Sequence, residues 1–220
     1  MFRLFVGDVH GNFKVMEQEI EKAMEAYQGE IFEIIQVGDM GYYPGSDPPP
    51  TVDFGVPQKF IRGNHEYHSR LPYKSHLIQD SFFGPWSYVP DGLIDENGVL
   101  YIGGAMSIDR RDRLNGPYKW FCDEQIDDWT FLDDLDLSRV NTVVTHAAPK
   151  HIVPLLVNHF IPNITAQGLQ SLADRLDYLH QDVDWFFGHY HSYRVMRFGR
   201  IKYTLLNMSG RKGFLTLQEI

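Results

Sequence analysis

The sequence is poor in cysteine, which excludes a fold held together by disulfide bonds. Its one cysteine, Cys122, has no second cysteine in the chain with which to pair. Long apolar runs are also missing, and no stretch approaches the roughly 20 apolar residues that a membrane-spanning helix needs. The first residues show neither the basic region nor the long apolar segment of a secretory signal. We therefore expect a cytoplasmic protein that does not enter membranes.

An excess of basic residues is absent as well. The chain has 20 Lys and Arg against 29 Asp and Glu, which gives a formal net charge of −9. Proteins that bind long nucleic acids regardless of sequence rely on clustered basic side chains, so we expect no such partner. A phosphorylated small molecule or phosphoprotein stays open as a substrate, because a local basic pocket would be enough to bind it. The composition indicates no particular oligomeric state.

What the chain does contain is enough apolar surface for a substantial core. Hydrophobic residues make up 43% and aromatic residues 14% of its 220 residues, which suits a single domain over 1–220. Helical periodicity over 13–27 and 165–179 alternates with short apolar runs such as 31–37 and 140–145. Alternation of this kind predicts βαβ units, parallel strand pairing and an α/β fold.

Two local predictions follow from the remaining sequence. An acidic segment between Trp120 and Trp129 predicts a helix that begins near Glu124. The last part of the chain, from 193 to 218, predicts two or three strands in a meander. We also expect Asn12 and Thr165 to cap the two longer helices.

The first strand ends in Asp8-Val9-His10. If strand geometry persists to position 10, both side chains project from one face, because residues two apart in a strand share a face. They would then lie at the carboxyl end of the strand, where open α/β sheets bind ligands. Taken alone, the motif fits a solvated turn as well as it fits half of a divalent-metal site.

Later strand ends repeat this pattern of a metal-capable or proton-transferring side chain, usually beside a glycine. The further candidates are Asp39, Asn64, His65, His146, His189 and His191. Carboxylate, imidazole and amide ligands suit manganese, iron or zinc better than calcium or magnesium alone. Because so many ligands exceed what one such ion uses, the pattern predicts two divalent cations bridged by a carboxylate. Asp39 is the natural bridge, and His189 and His191 could serve different ions if their segment is extended.

In chain order, five motifs resemble those of the calcineurin-like metallophosphoesterase family. They are Asp8-x-His10, Gly38-Asp39, Gly63-Asn64-His65-Glu66, Thr145-His146-Ala147 and Gly188-His189-Tyr190-His191. The resemblance implies a four-layer α/β/β/α sandwich with the metal ligands on loops at strand ends. It also implies one metal on Asp8, His10 and His191, another on Asn64, His146 and His189, and Asp39 shared by both.

The resemblance further implies a reaction, the hydrolysis of a phosphoester by hydroxide bridging two metal ions. Asp39 and His65 would be the catalytic residues, with His65 assisting the leaving group rather than binding metal. We expect manganese, with iron, zinc or nickel as alternatives. The expected substrate is a phosphomonoester, as for a protein-phosphatase-like enzyme. The alternatives are a phosphodiesterase acting on nucleotides or cyclic nucleotides and, in another class, a non-catalytic interaction scaffold on the same fold.

The sequence departs from the protein-phosphatase branch of the family just after Asp39. That branch usually continues with a further Asp and Arg, whereas this chain has Met40-Gly41-Tyr42. The residue that orients His65 and the arginine that binds phosphate must therefore come from elsewhere or be absent. Because guanidinium groups match phosphate oxygens in pairs, we expect this contact from the cluster Arg110, Arg111 and Arg113. The alternative is a solvated run paired with Asp109 and Asp112.

Overall fold

The computed structural model describes residues 1–42, 48–72, 75–115, 120–158 and 161–220. Within these residues there are three α-helices: α1 (Phe13–Ala26), α2 (Arg110–Asn115) and α3 (Ile164–Tyr178). The strands of the described residues are β1 (Phe2–Val6), β2 (Ile31–Gln36), β3 (Gln58–Phe60), β4 (Gln79–Phe83), β5 (Trp86–Tyr88), β6 (Leu93–Ile94), β7 (Val99–Ile102), β8 (Thr142–Thr145), β9 (Val183–Phe187), β10 (Arg194–Phe198), β11 (Ile201–Leu205) and β12 (Leu215–Glu219). Short 3₁₀ turns lie at His68–Arg70, Thr130–Asp134, Leu137–Arg139 and Val153–Leu155.

The described strands form two six-stranded sheets. Their orders are β12-β1-β2-β3-β5-β4 and β10-β11-β9-β8-β7-β6. The four inner strands of each sheet run parallel, and the strand at each edge is antiparallel to its neighbour. Parallel pairing places the carboxyl ends of neighbouring strands at one edge of the sheet. The loops after β1, β2 and β3 therefore lie together at one edge of the first sheet, and the loops after β8 and β9 lie together at one edge of the second.

The apolar side chains form a core in three layers. Between the two sheets, the Phe5 ring stacks on the Phe186 ring with centroids 3.7 Å apart. On the outer face of the first sheet, α1 buries Met16 and Ile20. On the outer face of the second sheet, α3 buries Leu172. The architecture is a four-layer α/β/β/α sandwich, which confirms the predicted fold class.

The helices lie where their periodicity predicts, but their caps differ from the expectation. Asn12 stands at the N-cap position of α1 without a capping hydrogen bond, and its amide donates to Ser209 Oγ instead. At the start of α3, Asn163 is the cap, and its Oδ1 accepts a hydrogen bond from Ala166 N at 2.8 Å. The prediction of Thr165 as that cap was therefore wrong, because Thr165 already lies inside the helix and is buried.

Two other local predictions differ from the structure: the first is wrong, and the second is right about its three strands, β10, β11 and β12, but wrong about how they pair. The described residues near Glu124 form turns rather than a helix, and Glu124 is buried where an acidic helix would have left it in solvent. The end of the chain is not a continuous meander, since only β10 and β11 form a hairpin. β12 crosses to the other sheet and pairs with β1, where Leu215 and Leu217 join the core beneath α1. Among the described residues, no helix is long and apolar enough to cross a bilayer.

Candidate metal centre

Side chains from the loops after β1, β2, β8 and β9 converge at one edge of the sandwich. Among the described residues, two groups could hold a metal ion, and within each the ligand atoms lie within 4.8 Å of one another. The first ligand group consists of Asp8, His10, Asp39 and His191, and the second of Asp39, His146 and His189. Because Asp39 belongs to both, the two groups are adjacent and share one carboxylate.

The first ligand group opens to solvent on one side. Asp8 is buried, whereas the side chain of His191 is 41% exposed, and His191 Nε2 lies 3.2 Å from Asp8 Oδ2. His10 Nε2 lies 3.0 Å from His191 Nε2 and 3.7 Å from Asp39 Oδ2. Two imidazole nitrogens and two carboxylates that face one point make a donor set suited to a divalent transition metal.

The second ligand group is built around His146, which is fully buried. His146 Nδ1 lies 2.9 Å from the carbonyl oxygen of Val37 and can donate to it, which leaves Nε2 facing the site. That nitrogen lies 3.3 Å from Asp39 Oδ2 and 3.2 Å from Asn64 Oδ1. The rings of His146 and His189 have centroids 5.1 Å apart. The amide of Asn64 thus lies beside this group, next to His146, as the family resemblance implies.

The ionisation of these groups suits cation binding. Burial would raise the pKa of Asp39, but the neighbouring His146 and His10 hold that pKa well below its usual value. Burial would lower the pKa of His146, but the Asp39 carboxylate outweighs it and raises the pKa to about 9. Burial and the charge of His146 lower the pKa of His189 to about 3, so its imidazole is neutral with a free lone pair. A divalent cation would replace the proton that His146 shares with Asp39.

A comparison with protein families agrees with this geometry. The family model described as calcineurin-like phosphoesterase matches residues 3–193. The chain belongs to the calcineurin-like phosphoesterase family. Membership of this family, together with the two Asp/His groups, supports the assignment of a metal-dependent phosphoesterase activity. Such an activity belongs to the hydrolases.

Comparisons with individual proteins add little to what the family match shows. No curated protein matches the chain. Among solved structures, the chain is similar to the crystal structure of a hypothetical protein from Thermus thermophilus, with 15% identity and a TM-score of 0.45. That similarity covers 96% of this chain and 78% of the other.

In this member of the calcineurin-like phosphoesterase family, the backbone at four candidate ligands is left-handed. The φ angles are 51° at His10, 56° at Asp39, 71° at His189 and 46° at His191. Such values cost a non-glycine residue about 1–2 kcal/mol and concentrate at functional sites. They also correct the sequence-based reasoning, because β1 ends at Val6 and the segment around His189 is not an extended strand. The side chains converge because tight turns redirect them, and not because strand alternation places them on one face.

Two glycines allow the ligand loops to approach each other closely. A Cβ atom at Gly188 would lie 2.0 Å from Asp8 Oδ1, and a Cβ atom at Gly63 would lie 2.1 Å from Asp39 Oδ1. Neither distance is possible for non-bonded atoms, so a side chain at either position would displace a carboxylate. Glycine is therefore required by this packing at positions 63 and 188.

Gly188→Ala is expected to displace Asp8 and thereby reduce metal binding by the first ligand group. We expect a loss of about 1–3 kcal/mol in the free energy of unfolding, typical of overpacking a buried site, and a fall in bound metal per chain. Urea unfolding and elemental analysis would measure the two effects. Gly29→Ala is the control, since its Cβ meets open space and only its φ of +84° opposes the change. Unchanged metal content in Gly188→Ala would contradict the packing argument.

His65 lies beside the candidate metal centre without joining it. Its ring is perpendicular to that of His10, with centroids 5.0 Å apart, and its backbone N–H donates to Asp39 Oδ1 at 2.8 Å. It belongs to neither ligand group found among the described residues. Burial lowers its pKa, although the Asp39 carboxylate opposes this. His65 is therefore placed next to the shared ligand.

The residue after His65 supports the turns of the site. Glu66 is buried, and its carboxyl oxygens accept hydrogen bonds from Gly63 N at 2.6 Å and from Gly41 N at 3.2 Å. Burial and the nearby Asp39 raise the pKa of Glu66 to about 8. The side chain thus ties the loop after β2 to the loop after β3.

The three arginines of the predicted phosphate cluster occupy different environments. Arg110 and Arg111 are exposed on α2, and the Arg110 guanidinium lies over the Trp120 ring, 4.2 Å from its centroid. Arg113 is buried, and its Nη1 donates to the backbone oxygen of Asn64 at 3.0 Å. The structure thus does not present the three side chains as one surface cluster. Of the three, Arg110 and Arg111 keep the exposure that binding a phosphate from solvent requires.

Sequence reasoning missed a residue that holds two ligand loops together. Gln36 is buried at the end of β2, and its Nε2 donates to the carbonyl oxygens of Gly7 and Gly38 at 3.1 and 2.5 Å. Its Oε1 accepts from Gly38 N at 3.0 Å. The available signal was an amide side chain near the end of the run 31–37, whose other residues are apolar apart from Glu33, just before a Gly-Asp turn.

Proposed function

We propose that this protein hydrolyses a phosphomonoester with the help of two divalent metal ions. The observation that carries the proposal is the membership of Asp39 in both ligand groups, since dinuclear sites need a shared ligand of this kind. Asp8, His10 and His191 would complete the first site. Asn64, His146 and His189 would complete the second.

The chemistry of the donors favours manganese, with iron, zinc and nickel as alternatives, because imidazole and carboxylate ligands suit all four ions. Two such ions would make a bound water acidic enough to serve as a nucleophile near neutral pH and would polarise the phosphoryl oxygens. The protein's own residues fix the positions of these ligands. Asp39 stays ionised, and His189 stays neutral, which is the state each needs as a ligand.

His65 is the proposed leaving-group residue. It lies beside His10 and Asp39 but outside both ligand groups, so its imidazole is free to act on the substrate. Imidazole titrates in the range needed to protonate an alcohol oxygen as it departs, or to stabilise the negative charge on it. The exposed Arg110 and Arg111 are the proposed contacts for phosphate oxygens.

The proposed substrate is a phosphorylated small molecule or a phosphoprotein. A phosphodiesterase would need an open groove for a second ester arm, and we expect the segments at 44–57 and 104–122 to decide whether such a groove exists. Residues 43–47 and 116–119 lie outside the described residues. The exposed side of the first ligand group, at His191, is compatible with either ester.

The test is an assay of the metal-free protein with p-nitrophenyl phosphate and bis(p-nitrophenyl) phosphate, each with added Mn²⁺, Zn²⁺, Fe²⁺ or Ni²⁺. We expect turnover that depends on metal and is faster for the monoester. Faster turnover of the diester would favour the phosphodiesterase. Metal binding without turnover of either substrate would contradict the proposal and favour an interaction scaffold.

A further inference from the structure

The side-chain amide of Asn64 can serve a metal ion only if its oxygen faces the metal centre. Asn64 is buried, and its Oδ1 lies 3.2 Å from His146 Nε2. Its Nδ2 points the other way and donates to Ser107 Oγ at 3.0 Å. A rotation of the amide by half a turn would place an N–H group towards the cation instead. What holds the amide in its present orientation is therefore important for metal binding.

The hydrogen bonds of Ser107 determine that orientation. A serine hydroxyl has one proton to donate and two lone pairs that accept. Ser107 Oγ donates its proton to Glu124 Oε2 at 2.6 Å and accepts a hydrogen bond from Arg113 Nη1 at 2.5 Å. Only one lone pair is left for Asn64, so the group that faces Ser107 must be the NH₂ and not the oxygen. The carbonyl end of the amide is thereby directed to the metal centre.

Glu124 keeps the hydroxyl proton pointing away from Asn64. Its two carboxylate oxygens accept from Ser107 N at 2.8 Å and from Ser107 Oγ. Arg113 Nη1 lies 3.6 Å from Glu124 Oε2, which balances the buried charge. Arg113 also donates to the backbone oxygen of Asn64, so both the main chain and the side chain of Asn64 are held.

These supporting residues come from a part of the chain outside the five sequence motifs. Ser107 follows β7, Arg113 lies on α2 and Glu124 lies beyond α2. All three residues are at most 3% exposed. A network so deeply buried and so fully hydrogen-bonded defines one arrangement, because each broken hydrogen bond would leave a buried polar group without a partner.

We propose that Ser107, Arg113 and Glu124 are positioning residues that fix the Asn64 amide with its oxygen towards the second metal site, and so set the affinity of that site. The inference rests on the proposed two-metal function. It replaces the expected phosphate contact of Arg113 with a contact to Asn64. Partners of metal ligands typically change metal affinity by about 10–100-fold when they are removed.

The test is titration of the metal-free full-length protein with Mn²⁺ by calorimetry, in parallel with urea unfolding of the metal-free protein. In Ser107→Ala we expect one of the two binding phases to weaken by about 10–100-fold, with the other unchanged. Ser107→Thr keeps the hydroxyl and is expected to bind both ions within about threefold of the wild type. Thr204→Ala, which removes a buried hydroxyl in β11, is the control for a general loss of stability and should leave both phases unchanged.

The outcomes separate this inference from the function on which it rests. Wild-type protein that binds fewer than two ions would contradict the proposed function itself. Two ions in the wild type, with both phases unchanged in Ser107→Ala, would overturn the positioning role alone. So would equal weakening of both phases, or a Ser107→Thr variant that is as stable as the wild type and yet binds as weakly as Ser107→Ala.

Discussion

Asp39→Asn is expected to release both metal ions and to reduce kcat/KM by roughly 10³-fold or more, because the ions supply several kcal/mol of transition-state stabilisation. Asp39 is the one residue that belongs to both ligand groups found among the described residues. Asparagine has nearly the same shape, but it carries no charge and replaces one carboxylate oxygen with an NH₂ group. That group would face His146, whose Nε2 lies 3.3 Å from Asp39 Oδ2. The neutral side chain would also remove the charge that attracts the cations.

Two measurements on purified protein would check this result. Inductively coupled plasma mass spectrometry gives the metal content per chain. Steady-state kinetics with p-nitrophenyl phosphate and added Mn²⁺ gives kcat/KM. Asp182→Asn is the matched control, because Asp182 is exposed and forms surface ion pairs with Arg197 and Arg200. Two ions retained in Asp39→Asn would show that Asp39 does not bridge them.

The second large effect is expected for His65→Ala. We expect metal content to stay at the wild-type level and kcat to fall by about 10²–10⁴-fold for substrates with poor leaving groups, the usual range for the loss of a general acid. p-Nitrophenolate leaves without help, so p-nitrophenyl phosphate should lose much less activity than phenyl phosphate. The dependence on the leaving group separates a role in proton transfer from a role in binding.

A second histidine variant serves as the control for the loss of an imidazole side chain. His76 is exposed and belongs to neither ligand group in the described part of the chain, so His76→Ala should behave like the wild type with both substrates. If His65→Ala lost a metal ion, His65 would belong among the ligands. If it slowed both substrates equally, His65 would not act on the leaving group.

The sequence predicts the fold class and the donor types well, for a physical reason. Parallel strands place their carboxyl ends at one edge, so polar side chains after apolar runs must meet there. His146 and His189 follow the parallel neighbours β8 and β9 in this way, and the structure places their rings with centroids 5.1 Å apart. This inference needs only the strand pattern and no knowledge of the loops.

The geometry within the loops could not be predicted from residue types. The reasoning that Asp8 and His10 share a strand face gave the right neighbours for the wrong reason, since His10 has a φ of 51° beyond the end of β1. A residue other than glycine adopts a left-handed backbone only where tertiary contacts override its local conformational preference. The same applies to His189 and His191, which lie in tight turns.

The hydrogen-bond network of Ser107, Arg113 and Glu124 could not be predicted from the sequence either. Ser107 and Glu124 are 17 positions apart and carry no motif, and they meet through a hydrogen bond that only the folded chain creates. Arg113 belongs to a basic run for which the sequence predicts a phosphate contact, yet it is buried against Ser107 and Asn64. Long-range hydrogen bonds of this kind depend on how the segments fold back on each other, and nothing in their local sequence specifies the partner.

The central claim is that one carboxylate joins two metal ions at the edge of the sandwich. A crystal structure of the protein grown with Mn²⁺, with anomalous data collected at the manganese absorption edge, tests it most directly. We expect two anomalous peaks about 3.5–4 Å apart, both bound by Asp39, with Asn64 Oδ1 on the ion that His146 and His189 share. A single peak, or a second peak that Asp39 does not bind, would contradict the claim.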